Sequence, residues 1–184
     1  MNPQQLSIIR IKGSPRELGQ QQGESARPQI HKALDRYRQL IPKAIGLTWE
    51  EALREARKFL PYSEEAFPQF VEEIQGIAEG SGVGFDELWI LNCYEGLTEV
   101  QQQVWGCTSL AVRNDRTANS HVLLAHNEDW ISVDRDSVYL VHAEPDDGPA
   151  FIAMTYGPLL VNIGFNAEGI GVLIDSVYPT DGRV

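Results

Sequence analysis

An α+β class, helices first and strands second, is what this sequence predicts, on three observations. Apolar residues recur at helical spacing through the first 106 positions. Short segments rich in Val, Ile, Leu and aromatic residues follow from residue 107, and turn compositions separate them. The period changes at Gly106-Cys107. The expectation is a helical segment over 1–106, then an antiparallel strand meander beginning at 107 and running to the end at 184.

Each helix has its own signals. Ser14-Pro15-Arg16-Glu17 has capping-box spacing with Pro at the first helical position. Thr48-Trp49-Glu50-Glu51 repeats the box before Ala52, Leu53, Ala56 and Leu60. Phe67, Phe70, Val71, Ile74, Ile77 and Ala78 then recur at helical spacing and stop at Gly80-Ser81-Gly82. A further segment from Asp86 carries Leu88, Leu91, Tyr94 and Leu97 on or near one face, and Pro28, Pro42 and Pro61 punctuate or end the helices. In the second half the expected strands are 107–113, 121–127, 137–144, 149–155, 159–166 and 170–176. Tight separators such as Pro145-Asp146-Asp147-Gly148 and Asn166-Ala167-Glu168-Gly169 favour antiparallel neighbours.

Composition narrows the function classes. The 184 residues are 42% hydrophobic and 22% charged, the balance of a folded soluble domain. No apolar run approaches the ~18 residues of a membrane span, and the N-terminus shows no secretory signal, so a cytoplasmic location is expected. The net charge is −11, divided as −4 over 1–106 and −7 over 107–184. Such a chain repels polyanions, so neither nucleic acid nor an anionic membrane surface is an expected partner. Two cysteines are too few for a disulfide framework. Cys93, within the apolar Leu88–Tyr94 stretch, reads as a packed core thiol.

Cys107 is different. It opens a strand directly after a glycine, where the helical half ends. A thiol there can attack the carbonyl of Gly106 to give a thioester that water hydrolyses. Glycine leaves that carbonyl uncrowded and tolerates unusual backbone geometry. Hydrolysis frees the α-amine of Cys107, which titrates near ~7.7–8.0 and can serve as general base for its own thiol. Nucleophile and base then travel on one residue. His126, Glu128, Asp129 and Cys107 match no familiar metal-ligand spacing, so neither metal nor cofactor is expected.

Six pieces in order extend this reading over nearly the whole chain. They are Ile11–Gly19 with Gly23, Glu73–Gly80, Leu91–Glu95, Gly106-Cys107-Thr108-Ser109, Asn127-Glu128-Asp129-Trp130 and Gly164–Val172. Together they resemble the acyl-coenzyme A:6-aminopenicillanate acyltransferase family, the self-cleaving cysteine branch of the N-terminal-nucleophile (Ntn) hydrolases. The resemblance implies a four-layer αββα sandwich, here truncated, with cleavage between Gly106 and Cys107. It also implies two fragments, 1–106 and 107–184, that remain associated as a heterodimer. Asp129 stands at the family's Asp near the new amine, where a carboxylate would stabilise the ammonium form. His126 stands where related bile-salt-type hydrolases carry an Arg, which puts it near the thiol. Thr108, Ser109 and Asn127 are further candidates for the lining. Asp175 replaces a common family Asn, adding negative charge and removing a donor. The family's oxyanion-hole Asn and active-site Arg fall beyond Val184, and the chain stops after a strand and turn with no closing element, as a truncated piece would.

The expected function is a cysteine amidohydrolase or acyltransferase acting on a linear amide or acyl-thioester through an acyl-thioester on Cys107. Sparse basic residues after Cys107 favour amide hydrolysis over coenzyme A chemistry. Two rivals stand beside it. One is a non-catalytic α+β binding or structural module in which Gly106-Cys107 is a packed turn. The other is a Cys–His hydrolase that uses His126 without self-cleavage.

Overall fold

The computed structural model describes residues 6–98 and 106–175. The chain opens with a strand, β1 (Ile8–Gly13), followed by helices α1 (Pro15–Ser25), α2 (Arg27–Ile45), α3 (Trp49–Arg57), α4 (Leu60–Ala66), α5 (Pro68–Ser81), α6 (Phe85–Asn92) and α7 (Tyr94–Thr98). Strands β2 (Cys107–Val112), β3 (Leu123–Glu128), β4 (Val138–Pro145), β5 (Phe151–Tyr156), β6 (Ile163–Asn166) and β7 (Gly171–Val172) follow. A mixed α+β architecture is therefore observed.

The helix signals act locally as expected. Glu17 reaches back to accept from the Ser14 amide (2.8 Å) and hydroxyl (2.7 Å), and Glu51 does the same for Thr48. α5 ends where Gly82 takes the left-handed conformation, φ 72°. Pro42 is an exception: it lies inside α2, which continues to Ile45 before Gly46 turns left-handed. Pro42 cannot donate to the Arg38 carbonyl one turn earlier, but its own carbonyl still accepts from the Gly46 amide at 2.9 Å and closes the helix.

α1 and α5 meet along a seam of four glycines. A β-carbon on Gly19 or Gly23 would collide with the Glu73 or Ile77 carbonyl oxygen, and one on Gly76 or Gly80 with the Arg16 or Gln20 carbonyl. The 4-residue spacing on both helices lets backbone lie on backbone. Through α1 the pair packs against β1 and β4 of a five-stranded sheet ordered β1-β4-β5-β6-β7. The helix-covered face carries Ile9, Ile11, Tyr139, Val141 and Ala143, all buried with α2 and α6 residues such as Ile30, Leu34, Ile41, Leu88 and Ile90.

Two features correct the expected helical half and strand meander. First, the N-terminal part is not wholly helical: β1 pairs in parallel with β4, Ile9 opposite Val141 and Ile11 opposite Ala143. Its short alternation is stabilised only by a partner about 130 residues away. Second, the meander holds from β4 to β7 but β2 and β3 form their own two-stranded ribbon. The segment between β3 and β4 turns away through a short 3-10 helix, Ser132–Ser137, anchored to α2 rather than to a neighbouring strand. The expected strand end at 176 and the C-terminal turn lie outside the described residues, as does Val104-Trp105.

The other face of the large sheet carries Ile8, Leu140, Met154 and Ile163 in one cross-strand row, with Phe165 nearby. The ribbon is tied to this side. Leu124 abuts Gly171, and Glu128 receives hydrogen bonds from Tyr156 and Asn162. Helices, large sheet and ribbon thus form three successive layers. Apolar side chains remain exposed on both strand layers, among them Ile8, Phe165, Leu110 and Leu123.

Candidate active site

Gly106 precedes β2 and stands in open space: a side chain at this position would meet nothing within 4 Å among the described residues. Its backbone is not in the left-handed region. Cys107, half-buried, is the first residue of β2 and pairs directly with Glu128, the last residue of β3.

The antiparallel register decides which side chains share a face, because directly opposite residues point the same way. Cys107 and Glu128, then Ser109 and His126, then Ala111 and Leu124 occupy one face of the ribbon. Leu124 and Glu128 are the residues that touch the large sheet, so this face looks into the space between the strand layers. Thr108 and Asn127 pair on the opposite, exposed face. Asp129 is exposed immediately past the end of β3, and Asp175 is exposed at the far end of the described chain.

The face with Cys107 is rich in polar contacts. Ser109 Oγ lies 3.0 Å from His126 Nδ1. The His126 side chain is only 3% exposed, and its Nε2 is buried with no hydrogen-bond partner among the described residues. The nearest carboxylate oxygen, Glu128 Oε2, is 3.9 Å away. Asn162 Nδ2 donates to both Glu128 oxygens at 3.2 Å, and Tyr156 Oη donates to Oε1 at 3.3 Å. Sequence reasoning singled out Cys107, Ser109 and His126, and gave Glu128 no role. Tyr156 and Asn162 carried no local signal, since their place at Glu128 depends on the packing of sheet against ribbon.

Beneath the ribbon an aromatic group holds the chain after β3. Trp130 donates to the buried Asp134 at 2.8 Å, and Tyr37 of α2 donates to the same oxygen at 2.6 Å. Burial pushes the Asp134 carboxyl up, and these two hydrogen bonds partly offset it. The ring of Trp130 packs on Tyr156, centroids 5.7 Å apart, and thereby holds one of Glu128's donors in place. Glu128, Trp130, Met154 and Tyr156 line a cavity of about 280 Å³. Tyr156 and Asn162 also line a neighbouring cavity of about 190 Å³. One cavity thus borders Glu128 itself, and the other borders the two residues that donate to it.

Cys93 sits apart, at the break between α6 and α7, on the wall of an apolar cavity of about 450 Å³ with Phe59, Phe67, Phe70 and Trp89. Burial pushes its thiol up to about 12, which disfavours the reactive thiolate. Among the described residues no three His, Cys, Asp or Glu side chains converge to hold a metal ion, and no helix is long and apolar enough to cross a membrane.

Among the known proteins this chain is similar to are two distant relatives. The chain is 25% identical over 174 residues to the acyl-coenzyme A:6-aminopenicillanic-acid-acyltransferase 40 kDa form of Emericella nidulans, covering 92% of this chain and 47% of that protein. It is 25% identical over 153 residues to the beta-alanyl-dopamine/carcinine hydrolase of Drosophila melanogaster, covering 76% of this chain and 37% of the relative. The chain thus spans less than half the length of these curated relatives. No family model matches it. The two relatives are an acyltransferase and a hydrolase, so the similarity supports an enzyme family of this general type.

Proposed function

We propose that this chain is the leading part of a self-processing cysteine amidohydrolase or acyltransferase. The observation that carries the reading is the position of Cys107. It opens a strand after an uncrowded glycine, on a ribbon face shared with Ser109, His126 and Glu128.

In the first stage the Cys107 thiol attacks the Gly106 carbonyl carbon and the C–N bond breaks. The acyl group moves to sulfur, the nitrogen gains a proton, and water then hydrolyses the thioester. The products are a Gly106 carboxylate and a Cys107 with free thiol and free α-amine. In the second stage that amine takes the thiol proton, and sulfur attacks a linear amide or acyl-thioester. The leaving amine or thiol departs with the proton, and water or an amine resolves the acyl-enzyme. Asp129, exposed beside the end of β3, is the carboxylate that the new ammonium meets in this reading.

The sheet supports lasting association of the two pieces. β1, from the first fragment, pairs with β4 of the second over six residues, and Gln22 donates to Tyr139 at 3.0 Å across the same divide. Cleavage before Cys107 would leave these contacts intact. The names of the two relatives support amide or acyl-thioester substrates, small molecules in either case.

The test is an intact mass of the folded chain under denaturing conditions, beside Cys107→Ala and Cys93→Ala. The expected result is two pieces of 106 and 78 residues in wild type and Cys93→Ala, and a single 184-residue species in Cys107→Ala. Turnover of acyl amides should fall at least ~10³-fold in Cys107→Ala. A folded wild-type chain that stays whole overturns the self-processing reading.

A further inference from the structure

Before the chain is cut, the nitrogen of Cys107 belongs to a peptide bond and cannot take a proton. The α-amine that serves as base in the second stage does not yet exist in the first. Another group must accept the thiol proton as sulfur attacks Gly106, and must return it to the departing nitrogen as the C–N bond breaks. Such a group has to lie beside Cys107, offer a basic oxygen or nitrogen, and be held in one orientation.

Glu128 meets these conditions. It is the direct cross-strand partner of Cys107, a relation that sets β-carbons ~4.5–5.5 Å apart. Its side chain is 15% exposed, and donors surround its carboxylate: Asn162 on both oxygens, Tyr156 on Oε1 and the His126 ring facing Oε2. The His126 tautomer follows from the same arrangement. A neutral imidazole carries one N–H, and a lone pair aimed at a carboxylate in a buried site is repelled. The proton therefore sits on Nε2, toward Glu128, and Nδ1 accepts the Ser109 hydroxyl at 3.0 Å. The otherwise unpartnered Nε2 faces this carboxylate across 3.9 Å, too far for a hydrogen bond but close enough for its N–H to be drawn toward the charge.

We infer that Glu128 is the proton acceptor and donor of the self-cleavage step, with His126 and Ser109 as its positioning residues. The inference rests on cleavage between Gly106 and Cys107. The proton passes from sulfur to the Glu128 carboxylate, then to the Cys107 nitrogen, and Glu128 ends ionised as it began. Asp129 keeps its separate place in the mature enzyme, where the charge to be met is the new ammonium.

The experiment follows chain cleavage by mass over time in the full chain, for wild type, Glu128→Gln, Glu128→Ala and Ser109→Ala, with cooperative unfolding confirmed for each. Expected are a 10²–10⁴-fold slower cleavage in both Glu128 variants and partial recovery of Glu128→Ala by added formate. A carboxylate in solution can replace a lost proton acceptor but not a lost structural contact. Ser109→Ala should slow cleavage about 5- to 10-fold by releasing the imidazole. Wild-type rates in Glu128→Gln, or a slow, folded Glu128→Ala indifferent to formate, overturn the inference and leave Cys107 self-cleavage standing. Should the Glu128 variants not fold, unchanged cleavage in Ser109→Ala overturns it. A folded wild type that never cleaves removes the underlying reading itself, and this role with it.

Discussion

The α1–α5 seam and the β2–β3 ribbon flank opposite faces of the same sheet, and they are built on opposed terms. At the seam, Gly19, Gly23, Gly76 and Gly80 bring backbone against backbone, and Leu18, Ile74 and Ile77 of the same helices are buried. At the ribbon, the enclosed side chains are a histidine and a glutamate, and large apolar residues such as Leu110 and Leu123 face outward. One side removes water from hydrocarbon and leaves no room for change. The other holds titratable groups in a partly enclosed space and leaves apolar surface uncovered. In the proposed reading, changes at the seam should register mainly in stability and changes at the ribbon in chain cleavage.

The largest expected effect breaks the seam. Gly76→Leu would drive a side chain into the Arg16 carbonyl, where no rotamer change relieves the collision. Overpacking of this kind costs ~3 kcal/mol or more, read as a lower urea midpoint or failure to fold. Gly46→Leu, at a left-handed position with nothing within 4 Å, should cost only ~1 kcal/mol of backbone strain. Equal losses in the two variants would mean that the seam is not closed.

A second effect, of intermediate size, shows that the helical side too holds a displaced titration. Burial pushes the carboxyl of Glu73 on α5 up to about 7. The folded state then holds this proton more tightly than the unfolded chain. The stability it contributes is full below the ordinary carboxylate range, near pH 4.5, and is lost as pH rises to about 7. Glu73→Gln should therefore gain ~2 kcal/mol over wild type at pH 8, with the advantage fading below pH 5. A difference independent of pH would place Glu73 in water.

The smallest effect sharpens the boundary between the two regions. Tyr37→Phe removes one of two donors to the buried Asp134 and should cost ~1–2 kcal/mol by denaturant unfolding. Because Trp130 reaches the same oxygen and also packs on Tyr156, Trp130→Phe should cost a similar amount and slow chain cleavage as well. Loss of stability without loss of cleavage in Trp130→Phe would separate the aromatic group from the site.

Much of the helical half was legible because its signals are local. A capping box, a proline at a first turn and a left-handed glycine act within four residues of one another, and Ser14, Thr48 and Gly82 act as their neighbours dictate. The Gly19/Gly23 and Gly76/Gly80 spacings were visible in the sequence, but their meaning as a seam needed the two helices side by side. At the site, the position of Cys107 behind an open Gly106 was legible from the change of period alone. Thr108, Asn127 and Asp175 were candidates by proximity in sequence or by resemblance; all three are exposed, and Thr108 and Asn127 lie on the ribbon face opposite Cys107.

By itself, then, the sequence determined the class of the fold, the run of helices from Pro15, the identity of the thiol that opens β2 and the packing of Cys93 against the core. Each depends on composition and spacing within a few residues. Tertiary structure decided that Ile8–Gly13 is a strand, that β2 and β3 leave the meander, and that Glu128 rather than its neighbour Asp129 faces Cys107. The physical reason is the same in each case. A strand gains its hydrogen bonds only from a partner, and side chains alternate with a period of two, so a register shifted by one residue would bring a different carboxylate to the thiol. That register is set by contacts between segments far apart in the chain: Tyr156 and Asn162 on Glu128, and Leu124 against Gly171.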